Sequence, residues 1–94
     1  MYKIVVTSSG ARSIKKLPLQ VRETLVKESK TLETNPTTGE KLSGSLNFLY
    51  SFHFKYKKVE YRFVYTIQEE NKLIEIHFAD VRENFYQKLR RLFR

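Results

Sequence analysis

The sequence has no cysteine, and only three glycines and two prolines occur among its 94 residues. Without cysteine there can be no disulfide, no thiolate nucleophile and no cysteine-ligated zinc, and three glycines cannot build a glycine-rich phosphate loop. No apolar run approaches the ~20 residues that a membrane-spanning helix needs, and the short apolar run in residues 1–7 does not predict a signal peptide. Because small secreted domains usually contain disulfides, we expect a cytoplasmic protein. We also expect no membrane association and no cofactor. We expect no metal, because the two histidines and the scattered carboxylates show no metal-ligand spacing.

Acidic residues are scarce relative to basic ones. There are 18 Lys and Arg against 10 Asp and Glu, so the net charge is +8, and residues 82–94 contain Glu83 as their one acidic side chain. A positive field of this size favours a polyanionic partner, such as nucleic acid, an acidic protein segment or an anionic membrane. The alternative is a basic surface with no specific partner. A chain of this length predicts one domain over residues 1–94, with its function on an exposed face or shallow groove.

The hydrophobic period changes near residue 48, from helical spacing to strand alternation. The predicted strands cover residues 2–7, 50–57, 61–67 and 73–79, with a hairpin turn within residues 57–60. The predicted helices cover residues 11–17, 19–32 and 81–93. This order predicts an α+β domain in which two N-terminal helices pack on one face of a four-stranded, mainly antiparallel sheet, with a short C-terminal helix.

Alternation within the strands assigns their side chains to two faces of the sheet. The aromatic residues of the middle strands share a core face, and Ile74, Ile76 and Phe78 of the last strand are expected to point the same way. The opposite face is mostly polar and carries His53, Lys55, Arg62 and His77. Because two helices cover only one face, we expect this polar face to be partly open and to form a phosphate-binding groove with the basic C-terminal segment.

Four segments, in order, resemble the RelE/ParE superfamily of bacterial type II toxins over nearly the whole chain. They are a helix that ends in Asn35-Pro36, the stretch Lys41-Leu42-Ser43-Gly44-Ser45-Leu46, the strand Tyr61-Arg62-Phe63-Val64-Tyr65 and the closing Val81-Arg82-Glu83-Asn84-Phe85-Tyr86. The resemblance implies the fold described above and the role of toxin in a toxin–antitoxin pair. It also implies a cognate acidic antitoxin as partner, in a hetero-oligomeric complex.

The superfamily contains two activities. RelE-like members cleave mRNA on the ribosome, whereas ParE-like members poison DNA gyrase and lack the nuclease residues. The RelE-like pattern of a strand arginine, an arginine before the last helix and a C-terminal tyrosine is matched here by Arg62, Arg82 and Tyr86. The short first helices also favour the RelE-like branch. We therefore expect a metal-independent, ribosome-dependent mRNA endonuclease; the alternatives are a gyrase inhibitor and a non-catalytic nucleic-acid-binding domain.

The sequence departs from the RelE-like pattern on the strand before Arg62 and just before Arg82. Strand positions that commonly hold lysines here hold Ser51 and His53, with Lys55 further along the same face, and the position that commonly holds a histidine is Val81. The identity of the general base therefore stays open between His53 and Lys55.

RNA cleavage through the ribose 2′-OH needs a base, an acid and a cation that stabilises the charged transition state. The guanidinium groups of Arg62 and Arg82 present a rigid donor fork to phosphate. His53 suits the base or the acid because an imidazole titrates near neutral pH. Tyr86 could stack on a nucleobase or donate its hydroxyl proton.

The remaining basic residues predict contacts with RNA phosphates. They are Lys55, Lys57 and Lys58 near the hairpin and Lys88, Arg90, Arg91 and Arg94 in the C-terminal segment. Each candidate also has a structural alternative. Arg62 could pair with a glutamate such as Glu75 across the strands, Tyr86 could pack the last helix onto the sheet, and His77 could be structural.

Overall fold

The computed structural model describes residues 1–93, which form a five-stranded mixed sheet and three α-helices. The strands are β1 (Lys3–Val6), β2 (Glu40–Lys41), β3 (Tyr50–Tyr56), β4 (Val59–Gln68) and β5 (Leu73–Val81). The helices are α1 (Ser8–Lys15), α2 (Leu19–Ser29) and α3 (Phe85–Leu92). The sheet order is β1-β5-β4-β3-β2, with β1 parallel to β5 and every other pair antiparallel. The predicted α+β class is confirmed.

The predicted number of four strands is wrong, because β2 adds a fifth. This strand has two residues and pairs with the start of β3 at the edge of the sheet, so it is too short to leave an alternating pattern. The last helix is also shorter than predicted. β5 continues through Val81, and Asn84 has a left-handed backbone with a φ of 59°, so α3 begins only at Phe85.

One face of the sheet is covered by α1 and α2, as predicted. Leu17, Val21, Leu25 and Leu32 pack against the aromatic and aliphatic side chains of β3, β4 and β5. The helix α1 lies so close to β5 that a Cβ atom on Gly10 would overlap the carbonyl oxygen of Ile76. Only glycine allows this close approach, which places the helix directly against β5.

The other face is covered in part by α3, whose Phe85 and Leu89 are buried with Leu49 and Val64. Phe78 packs with this second cluster, so its predicted position in the first core is wrong. The reason is a β-bulge. Val64 pairs with Phe78 but Tyr65 pairs with Ile76, so His77 is an extra residue on β5 and the alternation shifts by one.

The β3–β4 hairpin turns at Lys57 and Lys58, within the predicted range. Both residues have positive φ values, 47° and 70°, as a two-residue type I′ turn requires. This tight turn brings Glu60 into β4 opposite Lys55, rather than leaving it in a loop.

The buried hydroxyl of Tyr65 connects β4 to the loop at residues 36–39. It donates a hydrogen bond to the carbonyl oxygen of Pro36 (2.7 Å) and accepts one from the amide of Gly39 (3.0 Å). Burial raises the pKa of Tyr65 from 10.0 to about 12. The folded state therefore holds this proton more tightly than the unfolded state, and the resulting stability is present below pH ~10 and is lost as the pH rises towards ~12.

We expect Tyr65→Phe to lower the free energy of unfolding by about 1–2 kcal/mol near neutral pH, because it removes both hydrogen bonds. Between about pH 9 and about pH 11.5, the wild type should lose roughly 2 kcal/mol more stability than the variant does. Urea unfolding followed by circular dichroism at both pH values measures this difference. Equal alkaline losses in the two proteins would contradict the assignment of this titration to Tyr65.

Candidate phosphate-binding site

The second face of the sheet stays open near the β3–β4 hairpin, beyond the part covered by α3. Strand register places His53 opposite Arg62, and Arg62 opposite Asp80. Arg82 follows β5, and its amide donates a hydrogen bond to the carbonyl oxygen of Glu60 at 3.1 Å. The side chains of His53, Arg62 and Arg82 are thereby brought together on one surface, although 29 positions separate the first from the last.

The carboxylate of Glu60 lies between these three cationic or titratable groups. Its Oε1 is 3.6 Å from His53 Nδ1 and 3.9 Å from Arg62 Nη2. Its Oε2 accepts a hydrogen bond from Arg82 Nη1 at 3.2 Å. Glu60 Oε1 and Oε2 thus contact groups from β3, from β4 and from the segment after β5.

Sequence reasoning missed Glu60 as a member of the site, because it placed this residue in the hairpin turn. The available signal was its spacing of two from Arg62, which puts both side chains on one face of a strand. The alternative pairing of Arg62 with Glu75 is wrong. Glu75 instead accepts a hydrogen bond from the side chain of Gln68 at 3.0 Å.

Arg62 is held firmly at the base of the open surface, and its side chain is 17% exposed. Its Nη1 donates a 2.6 Å hydrogen bond to the hydroxyl of Tyr86, and its guanidinium carbon lies 5.4 Å from the centre of the Tyr86 ring. Tyr86 belongs to α3 and packs against the second core cluster, so its contact with Arg62 also links α3 to β4. An arginine restrained in this way is preorganised to receive an anion.

Arg82 is far more exposed, at 68% of its side chain, and can follow a ligand on the surface. Next to it, Lys55, Lys58 and Val59 line a depression that also contains Glu60. Lys57 turns back over the ring of Tyr56, 5.6 Å from its centre. Tyr56 packs against the helix-covered core, so Lys57 does not join the open face where the strand alternation placed it. Of the three predicted hairpin lysines, Lys55 and Lys58 border the site.

The predicted basic residues of α3 are spread over its surface. Lys88 pairs with Asp80 at 2.7 Å, beside Arg62 in the strand register. Arg90 lies with Tyr86 beside the loop at residues 40–46, whereas Arg91 lies on another side of α3, near Lys16. Within residues 1–93, none of the three forms an ion pair with Glu60. Arg94 lies outside the described residues.

His77, expected on the open face, has a structural position at the bulge. Its Nε2 lies 2.9 Å from the hydroxyl of Thr66, and its ring packs against the edge of Phe93. Burial lowers the pKa of His77, partly offset by the negative charge of Glu75. The His77 ring therefore supports the end of α3 and is not among the groups that contact Glu60.

Residues 1–93 contain no group of three or more His, Asp or Glu side chains that could hold a metal ion. In the same described range, every helix is too short or too polar to cross a membrane.

The family model for the ParE-like toxin of type II bacterial toxin–antitoxin systems matches residues 4–90. Among curated protein sequences, nothing matches the chain.

Several solved structures are similar to this chain. A chain of the toxin–antitoxin complex RelBE2 from Mycobacterium tuberculosis is 25% identical, with a TM-score of 0.77 over 86% of this chain and 98% of that one. The isolated RelE toxin from E. coli is 22% identical, with a TM-score of 0.71 over 98% and 99% of the two chains. A chain of the intact E. coli RelBE complex is 20% identical, with a TM-score of 0.67 over 84% and 94%. The two E. coli likenesses show a shared fold.

Proposed function

We propose that this chain, which belongs to the ParE-like toxins of type II bacterial toxin–antitoxin systems, inhibits translation as a ribosome-dependent mRNA endonuclease in the cytoplasm. The observation that carries this proposal is the convergence of His53, Arg62 and Arg82 on one anion position beside Tyr86. Such a set combines phosphate-binding cations with groups that can transfer protons. A nuclease needs both, whereas a protein that acts only by binding needs no proton transfer.

In the proposed reaction a base removes the proton of a ribose 2′-OH, and the 2′-oxygen then attacks the adjacent phosphorus. The bond to the 5′-oxygen breaks, and an acid protonates that oxygen as it leaves, which yields a 2′,3′-cyclic phosphate and a 5′-OH end. Arg62 and Arg82 stabilise the negative charge on the pentavalent phosphate. His53 acts as base or acid, with Lys55 as the other candidate base. Tyr86 stacks on a nucleobase of the RNA or donates its hydroxyl proton.

The second candidate function is inhibition of DNA gyrase, and the ParE-like description of the matched family favours it. The decisive experiment adds the purified protein to translating ribosomes and maps mRNA cuts by primer extension, with a gyrase cleavage assay in parallel. We expect cuts in the mRNA and no trapped DNA breaks. Trapped DNA breaks without mRNA cuts would overturn the nuclease proposal in favour of gyrase. If neither mRNA cuts nor trapped DNA breaks form, the third alternative remains, a non-catalytic nucleic-acid-binding domain.

We also propose that a cognate acidic antitoxin binds this toxin, and structural neighbours of the chain include toxin–antitoxin complexes. An apolar groove of about 580 Å³ runs between α1, α2 and β1, with Ile14, Leu25 and Val26 in its lining. Lys15 and Arg22 stand at its rim. An amphipathic acidic segment would match both the apolar floor and the basic border.

Binding of the antitoxin should depend on salt but should not disappear at high salt. We expect the dissociation constant to rise by about tenfold or more between about 0.1 M and about 0.5 M NaCl, because screening weakens the charge pairs while apolar contacts persist. As a matched control, Val26→Asp should weaken binding at every salt concentration, since this side chain is 56% exposed on the groove. Isothermal titration calorimetry measures both effects. A dissociation constant that does not change with salt would contradict the electrostatic contribution.

A further inference from the structure

The Glu60 carboxylate occupies the position where the cations of the site would receive a phosphate. Its two oxygens have different partners: Oε1 lies near His53 and Arg62, and Oε2 accepts a hydrogen bond from Arg82. Guanidinium groups bind carboxylates and phosphates through the same donor geometry. Two anions cannot share this position, because each would repel the other and would compete for the same donors.

The side chain of Glu60 is free to leave this position without disturbing the sheet. Its backbone is fixed, since Glu60 pairs with Lys55 across the hairpin and its carbonyl oxygen accepts a hydrogen bond from the amide of Arg82. Within residues 1–93, the polar partners of its carboxylate are the side chains of His53, Arg62 and Arg82. Glu60 itself lines a depression of about 690 Å³, whose other charged residues are Lys55, Lys58, Arg82 and Glu83. A rotated carboxylate therefore has space there and stays near more positive than negative side chains.

We propose that Glu60 is an internal anion that competes with RNA phosphate for Arg62, Arg82 and His53. This inference rests on the proposed function in assuming that the ligand is RNA. Free RNA must displace the carboxylate with its own binding energy. Messenger RNA held on a ribosome reaches the site at a high effective concentration, so displacement is easier there. Glu60 therefore weakens binding of free RNA and favours RNA that the ribosome presents.

The direct test compares Glu60→Gln with the wild type for binding of a fluorescent 2′-O-methyl RNA oligonucleotide, which has no 2′-OH to react. We expect the variant to bind about five- to tenfold more tightly at low salt, because a competing unit charge is removed from contact with the phosphate. The matched control is Glu70→Gln, which makes the same change of net charge at an exposed turn between β4 and β5. It should strengthen binding by less than about twofold.

Two results would overturn the proposal. Glu60→Gln could bind the oligonucleotide no more tightly than Glu70→Gln, or it could bind more weakly than the wild type, which would make Glu60 an organiser of the cations and not a competitor. A double variant, Glu60→Gln with Arg62→Ala, should lose the gain, and circular dichroism establishes that each variant is folded. The nuclease proposal fails separately, if the wild type cuts no mRNA on ribosomes. The binding gain of Glu60→Gln does not depend on that outcome.

Discussion

Arg62→Ala should lower the rate of mRNA cleavage on translating ribosomes by about 10²–10³-fold, the usual loss when one preorganised charged donor is removed from a transition state. Arg62 is the least exposed cation of the site and is fixed by the hydroxyl of Tyr86. Its charge therefore acts from a partly water-excluded position, where electrostatic interactions are stronger than at the surface. The measurement is the rate at which primer-extension stops accumulate.

Arg62→Lys and Arg12→Ala are the matched controls for this experiment. Lysine keeps the charge but loses the two-donor fork, so Arg62→Lys should fall between the wild type and Arg62→Ala. Arg12 is exposed on α1 and its removal makes the same change in net charge. Arg12→Ala should stay within about twofold of the wild type. Cleavage by Arg62→Ala at the wild-type rate would remove Arg62 from the proposed mechanism.

Phe85→Ala should lower the free energy of unfolding by about 3–5 kcal/mol, as is typical when a buried phenylalanine is truncated. Phe85 is 1% exposed and packs against Phe78 and Tyr86 with ring centres 5.3 and 5.4 Å apart. The helix α3 has only eight residues, so its stability comes from packing and not from the helix itself. Urea unfolding at neutral pH measures the change.

Leu92→Ala is the comparison for Phe85→Ala, since Leu92 lies on the same helix but is 39% exposed. It should cost about 1 kcal/mol or less. Phe85→Ala should also reduce cleavage beyond the fraction unfolded, because Tyr86 loses the packing that positions its hydroxyl for Arg62. A loss of stability for Phe85→Ala no greater than that for Leu92→Ala would show that α3 does not depend on this side chain.

The strand alternation in residues 50–57 and 61–67 was sufficient to predict which side chains share a face. This worked for His53 and Arg62 because a regular strand has a period of two, and the tight hairpin at Lys57 and Lys58 set them opposite each other. The same reasoning failed for Phe78. A single extra residue at the His77 bulge reverses the alternation, and nothing in the local pattern marks it.

The sequence by itself determined the α+β class and the order of the α-helices and of the strands other than β2, since these follow from local periodicity. It also predicted the basic open face with its arginines and histidine, from alternation and composition. The tertiary structure alone decided that Glu60 stands between His53, Arg62 and Arg82, and that Arg62 is bound to Tyr86. The contact of Arg82 with Glu60 spans 22 positions of the chain, and that of Tyr86 with Arg62 spans 24. Such contacts are set by strand register, by the bulge in β5 and by the point where α3 begins, and a shift of one residue in any of them would separate these groups.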